Sequence, residues 1–188
     1  MTETLDEALP PDVAELVEHV LRRACDEELT LATAESCTGG LLASLLTDVD
    51  GYGHAFERGF VVYTERAKHE MLDVDLGDLR RHGAVSEPVA RAMAEGALKA
   101  ADADVAVAIT GFAGRGAPGD EPGLVHFAVS RNGVPTRHRE EHFGDIGRGG
   151  VRLACLRCSL QMLDQALEAR PGPLAASAQA AAPNRQAR

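Results

Sequence analysis

Apolar residues recur three and four positions apart at Val13, Leu16, Val17, Val20, Leu21 and Ala24, directly after Pro10-Pro11-Asp12. That spacing predicts a first helix with prolines at its start. The run Leu29 to Glu35 is short, apolar and rich in Thr, which predicts a buried strand. Leu41 to Val49 predicts a helix, Gly59 to Tyr63 a second buried strand, and Thr64 the cap of a short helix through Met71. Asp75 to Gly83 predicts another helix. Ser86-Glu-Pro then opens a longer one, with Ser86 as cap and the stripe Val89, Ala90, Met93, Ala94, Ala97 and Leu98. Asp104 to Thr110, Leu124 to Ser130 and Thr136 to Phe143 predict three more strands, the last two joined by the hairpin signal Asn132-Gly133. Leu153, Leu156, Leu160, Leu163 and Leu167 mark a closing helix from Gly147 to Ala169. Helices alternating with buried strands, followed by a hairpin, give the fold class: a three-layer α/β/α domain with a mixed sheet.

The 188 residues suit one domain, expected over residues 10–170 and preceded by a flexible N-terminus over 1–9. The segment 171–188 holds seven Ala, three Pro and no acid, and no amphipathic pattern fits around the prolines; it is expected to be a disordered tail. The formal net charge is −10 and aromatics make up 4%, with no Trp, so no nucleic-acid partner is expected. The start MTETLDEALPPD has neither a basic head nor an apolar run, and nowhere do 18 apolar residues follow one another. These features predict no membrane partner and a cytoplasmic location. Cys25, Cys37, Cys155 and Cys158 are then expected as free thiols, the Cys155-x-x-Cys158 pair lying on a buried helix face rather than holding a metal.

Candidate chemistry gathers where strands end. In Ala34-Glu35-Ser36-Cys37-Thr38-Gly39-Gly40 a strand gives way to a helix within five residues, where free backbone N–H groups can receive an anion or a developing oxyanion. Gly39 and Gly40 allow a ligand close to the backbone. The plainer alternative is that Ser36 or Thr38 only caps the helix, and spacing alone favours it. Tyr63 and Lys68 bracket the end of the next strand and the start of its helix. If the strands are neighbours, a neutral Lys68 can take the Ser36 proton, provided burial or a nearby cation lowers its pKa; the alternative is a solvated surface lysine. Thr110 and Gly111 begin a glycine-bearing loop at a third strand exit, either a ligand contact or an ordinary turn. Arg148 and Arg152 lie one turn apart at the start of the last helix, either a phosphate contact or a solvated face.

The motifs AESCTGG, ERGFVVYTERAK, GAVSEP and GALKAADADVAVAITGFAG, in this order between Val13 and Leu167, closely resemble the competence/damage-inducible CinA C-terminal family, whose stand-alone members include nicotinamide mononucleotide deamidases. The resemblance implies an amidohydrolase that converts the carboxamide of nicotinamide mononucleotide to the acid and ammonia. It places the nucleophile at Ser36, the base at Lys68 and an assisting group at Tyr63. Thr38, Gly39, Gly40, Thr110 and Gly111 fall at its pocket, and Arg148 matches an arginine near the ligand, supplied in cis or across a dimer. It implies a small nucleotide substrate, a homo-oligomeric (dimeric) state, no metal and no organic cofactor. A non-catalytic nucleotide-binding module of the same fold, or an amidase for another small amide, are the alternatives. One loop departs from the family pattern: Arg115 stands where a proline is usual and Glu121 where a lysine is usual.

Overall fold

The computed structural model describes residues 9–169. The expected 171–188 tail lies outside them, as do residues 1–8 of the N-terminus. Leu9, the described residue of that segment, packs against the core.

The elements are α1 (Pro11–Asp26), β1 (Leu31–Glu35), α2 (Leu41–Leu46), β2 (Phe56–Val61), α3 (Glu65–Leu72), α4 (Leu76–His82), α5 (Glu87–Ala101), β3 (Val105–Gly111), β4 (Leu124–Arg131), β5 (Val134–His142) and α6 (Gly147–Glu168). The strands form one sheet in the order β2-β1-β3-β4-β5. β1 runs parallel to both β2 and β3, whereas β3, β4 and β5 are antiparallel in sequence. The sheet is mixed and covered on both faces, as its sequence pattern predicts. β1 is buried along its whole length because it lies between two strands and under two helix layers.

The two faces differ in chemistry. Leu31, Val107, Ile109, Phe127 and Val129 point toward α1, α2 and α6, and meet Leu21, Leu42, Leu156, Leu160 and Leu163 in one large core. The opposite face carries Ala32, Ala34, Ala106, Ala108 and Ala128, against Ala90, Met93, Ala94 and Ala97 of α5. Small residues on both sides draw α5 close to the sheet. Gly96 extends the same logic toward α3: a Cβ there would lie 2.1 Å from the carbonyl oxygen of Leu72, so only glycine fits.

Three elements differ from the sequence pattern, α2 by ending at Leu46 rather than Val49. β2 begins at Phe56 rather than Gly59 and ends at Val61. As an edge strand it exposes Glu57, Arg58 and Gly59, so its first half carries no apolar signal. Ser86 precedes α5 but makes no cap; its hydroxyl donates instead to the carbonyl of Gly83 at 2.9 Å. The cap at Thr64 is formed as expected, with Ala67 N–H donating to its hydroxyl, and Asp75 caps α4 by accepting from the Gly77 and Asp78 N–H groups. The Asn132-Gly133 hairpin is also present, with Gly133 at a φ of 75°.

Candidate active site

The site forms where the alternation of β1 ends. Leu31, Thr33 and Glu35 face the α2 layer and Ala32 and Ala34 face the α3–α5 layer, so Ser36 falls on the second side. The ladder extends one residue past the strand, because Ser36 N–H donates to Ile109 O at 3.0 Å. This fixes the serine backbone against β3. In register beside it run Thr110 of β3 and His126 of β4, all three buried and polar on a face lined mainly by alanine.

Lys68 comes from the first turns of α3, the helix that follows β2, and β2 pairs directly with β1. Its side chain is 1% exposed. Nζ donates to Ser36 Oγ at 3.0 Å and contacts the carbonyl oxygens of Val62 at 2.8 Å and Tyr63 at 3.4 Å. Burial pushes its pKa down to about 8, against a weaker upward pull from Cys37 and Glu65. The surface-lysine alternative is excluded by this burial.

Glu35, directly before the serine, is fully buried and explains why the turn is free for chemistry. Its carboxylate accepts from the backbone N–H groups of Gly40 at 3.0 Å, Leu42 at 3.1 Å and Ala43 at 2.7 Å. The first turn of α2 is therefore capped by Glu35, and neither Ser36 nor Thr38 caps it; the chain enters the helix through Gly40 at a φ of 92°. The plain capping reading of Ser36 and Thr38 is thereby removed. Gly39 N–H donates to Ser36 O at 3.2 Å, so the amides of Cys37 and Thr38 are the ones left outside these internal bonds.

The remaining expected residues divide. Thr38 and Thr110 are fully buried beside the dyad, Thr110 donating to Ala84 O at 2.7 Å and the Thr38 hydroxyl having no partner. Gly39 borders the turn, and Gly111 ends β3 with its α-carbon pressed against β4. Tyr63 meets Lys68 through its carbonyl, while the side chain is 63% exposed. Arg148 is exposed, and it is Arg152, one turn later, that reaches the turn, donating to Thr38 O and standing over Gly39. Arg115 pairs with Asp145, and Glu121 pairs with His142 at 2.7 Å, so both unusual loop charges are matched locally.

Glu35 was overlooked by sequence reasoning; its signal was an acid at the end of an otherwise uncharged buried strand. A cleft of about 540 Å³ between α1 and the loop after α2, lined by Leu9, Val17, Leu45 and Val49 with four carboxylates, contains no part of the dyad. The chemistry, rather than the concavity, locates the site.

Comparison with known proteins identifies the family. The family model of the CinA C-terminal domain matches residues 13–167. The chain belongs to that family. Among relatives, the nicotinamide-nucleotide amidohydrolase PncC of Escherichia coli strain K12 is 48% identical over 139 residues, covering 72% of this chain and 83% of the relative. A CinA-like protein of Akkermansia muciniphila is 50% identical over 131 residues, 69% of this chain and 32% of its own length. The chain thus spans about a third of the length of the first curated relatives it matches. Among solved structures, the competence/damage inducible protein of Agrobacterium tumefaciens superposes with a TM-score of 0.81 at 43% identity, covering 86% of this chain and 98% of that one. A CinA superfamily protein of E. coli gives 0.77 at 38%, covering 82% and 90%. The α/β fold is that of the CinA superfamily. No helix among the described residues is long and apolar enough to cross a membrane.

Proposed function

We propose that this CinA-family chain is an amidohydrolase that cleaves the carboxamide of nicotinamide mononucleotide to nicotinic acid mononucleotide and ammonia, with Ser36 as nucleophile and Lys68 as base. The observation that carries the reading is the 3.0 Å contact between a buried lysine and the serine hydroxyl. The neutral lysine amine has two N–H donors and one lone pair. The carbonyls of Val62 and Tyr63 accept the two donors, which turns the lone pair toward Ser36. A pKa near 8 keeps a usable neutral fraction at physiological pH, as a general base needs.

Ser36 Oγ attacks the amide carbon while Lys68 takes its proton. The carbonyl oxygen becomes an oxyanion held by the Cys37 and Thr38 amides; those of Gly39 and Gly40 are spent inside the turn. The Lys68 ammonium then protonates the departing nitrogen, which leaves as ammonia. Water, deprotonated by the same amine, hydrolyses the acyl-serine. Arg148 and Arg152, with no acid in the first turn of α6, provide the positive side for a phosphate. Support from relatives is the PncC amidohydrolase at 48% identity.

The test is a substrate panel with product identification: nicotinamide mononucleotide, its dephosphorylated riboside and free nicotinamide. The proposal expects equal amounts of ammonia and nicotinic acid mononucleotide, with the phosphorylated substrate preferred. Turnover of an uncharged amide with none on the mononucleotide would assign the site to a different amide.

A further inference from the structure

We infer that Arg152 is a positioning residue for the oxyanion: it heads a chain of hydrogen-bonded peptide units that ends at the Cys37 amide, and so holds and polarises that amide toward the reacting carbonyl. Its effect on rate rests on the amidohydrolase reading; the chain of hydrogen bonds does not.

The chain can be followed bond by bond. Arg152 lies in the second turn of α6 and donates through Nη2 to the carbonyl oxygen of Thr38. That carbonyl shares a peptide unit with the Gly39 N–H, which donates to the Ser36 carbonyl oxygen at 3.2 Å. The Ser36 carbonyl in turn shares a peptide unit with the Cys37 N–H, one of the two amides outside the internal bonds of the turn. A hydrogen bond accepted at a peptide oxygen draws electron density from the nitrogen of the same unit, so each link strengthens the next donor. A charged donor at the head pulls hardest. The second amide, that of Thr38, shares its peptide unit with the Cys37 carbonyl and lies off the chain.

The guanidinium brings a charge that is not matched elsewhere. Its Nε is buried without a partner, and no carboxylate among the described residues pairs with it. A Cβ on Gly39 would lie 3.7 Å from Nη2, so the charge stands over the glycine of the turn. Arg148, one turn earlier, is exposed. Glu35 supplies the reason for such a charge. Its carboxylate is fully buried against the same turn, accepting from Gly40 N–H at 3.0 Å, and it opposes a second negative charge on the substrate's carbonyl oxygen. Ser36, Cys37 and Thr38 are buried too, where charges act more strongly than in water. A guanidinium with no acid of its own offsets Glu35 as the oxyanion forms. Arg152 thus does more than add to the positive side offered to a phosphate: it acts on the transition state through the backbone.

The experiment takes full-length wild type, Arg152→Met and Arg152→Lys. It measures kcat and KM for ammonia release from nicotinamide mononucleotide, and the backbone amide proton shifts of Cys37, Thr38 and Gly39 by NMR of the substrate-free protein. In Arg152→Met, kcat is expected to fall about tenfold or more, less than the loss of a whole oxyanion donor, while KM stays within about threefold. Arg152→Lys keeps a charged donor and recovers part of kcat. The Gly39 and Cys37 amide protons move upfield in Arg152→Met, and that of Thr38 moves less. A raised KM with unchanged kcat makes Arg152 a substrate contact and overturns the inference. Gly39 and Cys37 shifts that stay in place, or that move no more than that of Thr38, overturn the chain; should Arg152→Met fail to fold, the same shifts in Arg152→Lys decide it. If wild type releases no ammonia at all, the amidohydrolase reading fails while the amide shifts still decide the chain.

Discussion

Lys68 Nζ stands 3.0 Å from Ser36 Oγ although 32 residues separate them, and the lysine is buried with backbone carbonyls as its other partners. Parallel pairing of β1 with β2 creates this contact, because it brings the ends of both strands to the same edge of the sheet. A lysine so placed is held by desolvation in the range where it can exchange protons.

Rate should follow that titration. kcat/KM for amide hydrolysis is expected to rise with pH through an apparent pKa of about 8, the value to which burial lowers Lys68, and to fall about tenfold per unit below it. A pH profile in buffers of constant ionic strength measures this. Lys68→Met and Lys68→Arg should both be inactive, because neither side chain offers a base near neutral pH. An active Lys68→Arg protein would mean that Lys68 supplies charge rather than proton transfer.

The same lysine should weaken the fold at neutral pH. Its folded pKa of about 8 lies below the unfolded value of about 10.4, so between these values the unfolded chain binds more protons. Stability therefore rises with pH across that window. Lys68→Met is expected to gain stability over wild type near pH 7, and the gain should shrink as pH rises from about 8 to about 10. Denaturant titration at several pH values tests the sign.

Glu35 should matter to both stability and rate. Glu35→Ala removes the acceptor of three backbone amides, and buried unpaired donors cost about 1–3 kcal/mol each. A loss of about 3 kcal/mol or more in unfolding free energy is expected, with activity falling further than stability alone explains, since the turn behind Ser36 loosens.

Glu121→Lys should change little. Glu121 is exposed and pairs with His142, away from the dyad, and Arg115 is matched by Asp145. A Michaelis constant within about twofold of wild type at low salt is expected, as exposed pairs are worth about 0–1 kcal/mol. A large fall in that constant would place the loop in the field of the substrate's phosphate.

The layers, the hairpin and most helices were legible because their apolar periodicity is strong: α1, α5 and α6 bury the stripes that spacing marks. β2 was displaced by three residues because an edge strand need not be apolar at Glu57 and Arg58. In the site, Ser36 and Lys68 could be named from motif and junction position, but their contact depends on strand order, which no local pattern carries. Glu35 and Arg152 show the same limit. A buried acid is informative only once the amides it caps are known, and Arg152 and Arg148 share one helix face, so the height along α6 that brings Arg152 to the turn is set by how α6 packs against the sheet.

The central claim is that Ser36, and not the thiol beside it, performs the attack. The most direct measurement is ammonia release from nicotinamide mononucleotide by purified wild type, Ser36→Ala and Cys37→Ala, with folding verified for each. The expected outcome is turnover by wild type, a loss of ~10⁴-fold or more in Ser36→Ala, and retained turnover in Cys37→Ala. Near wild-type release by Ser36→Ala together with an inactive Cys37→Ala would contradict the account.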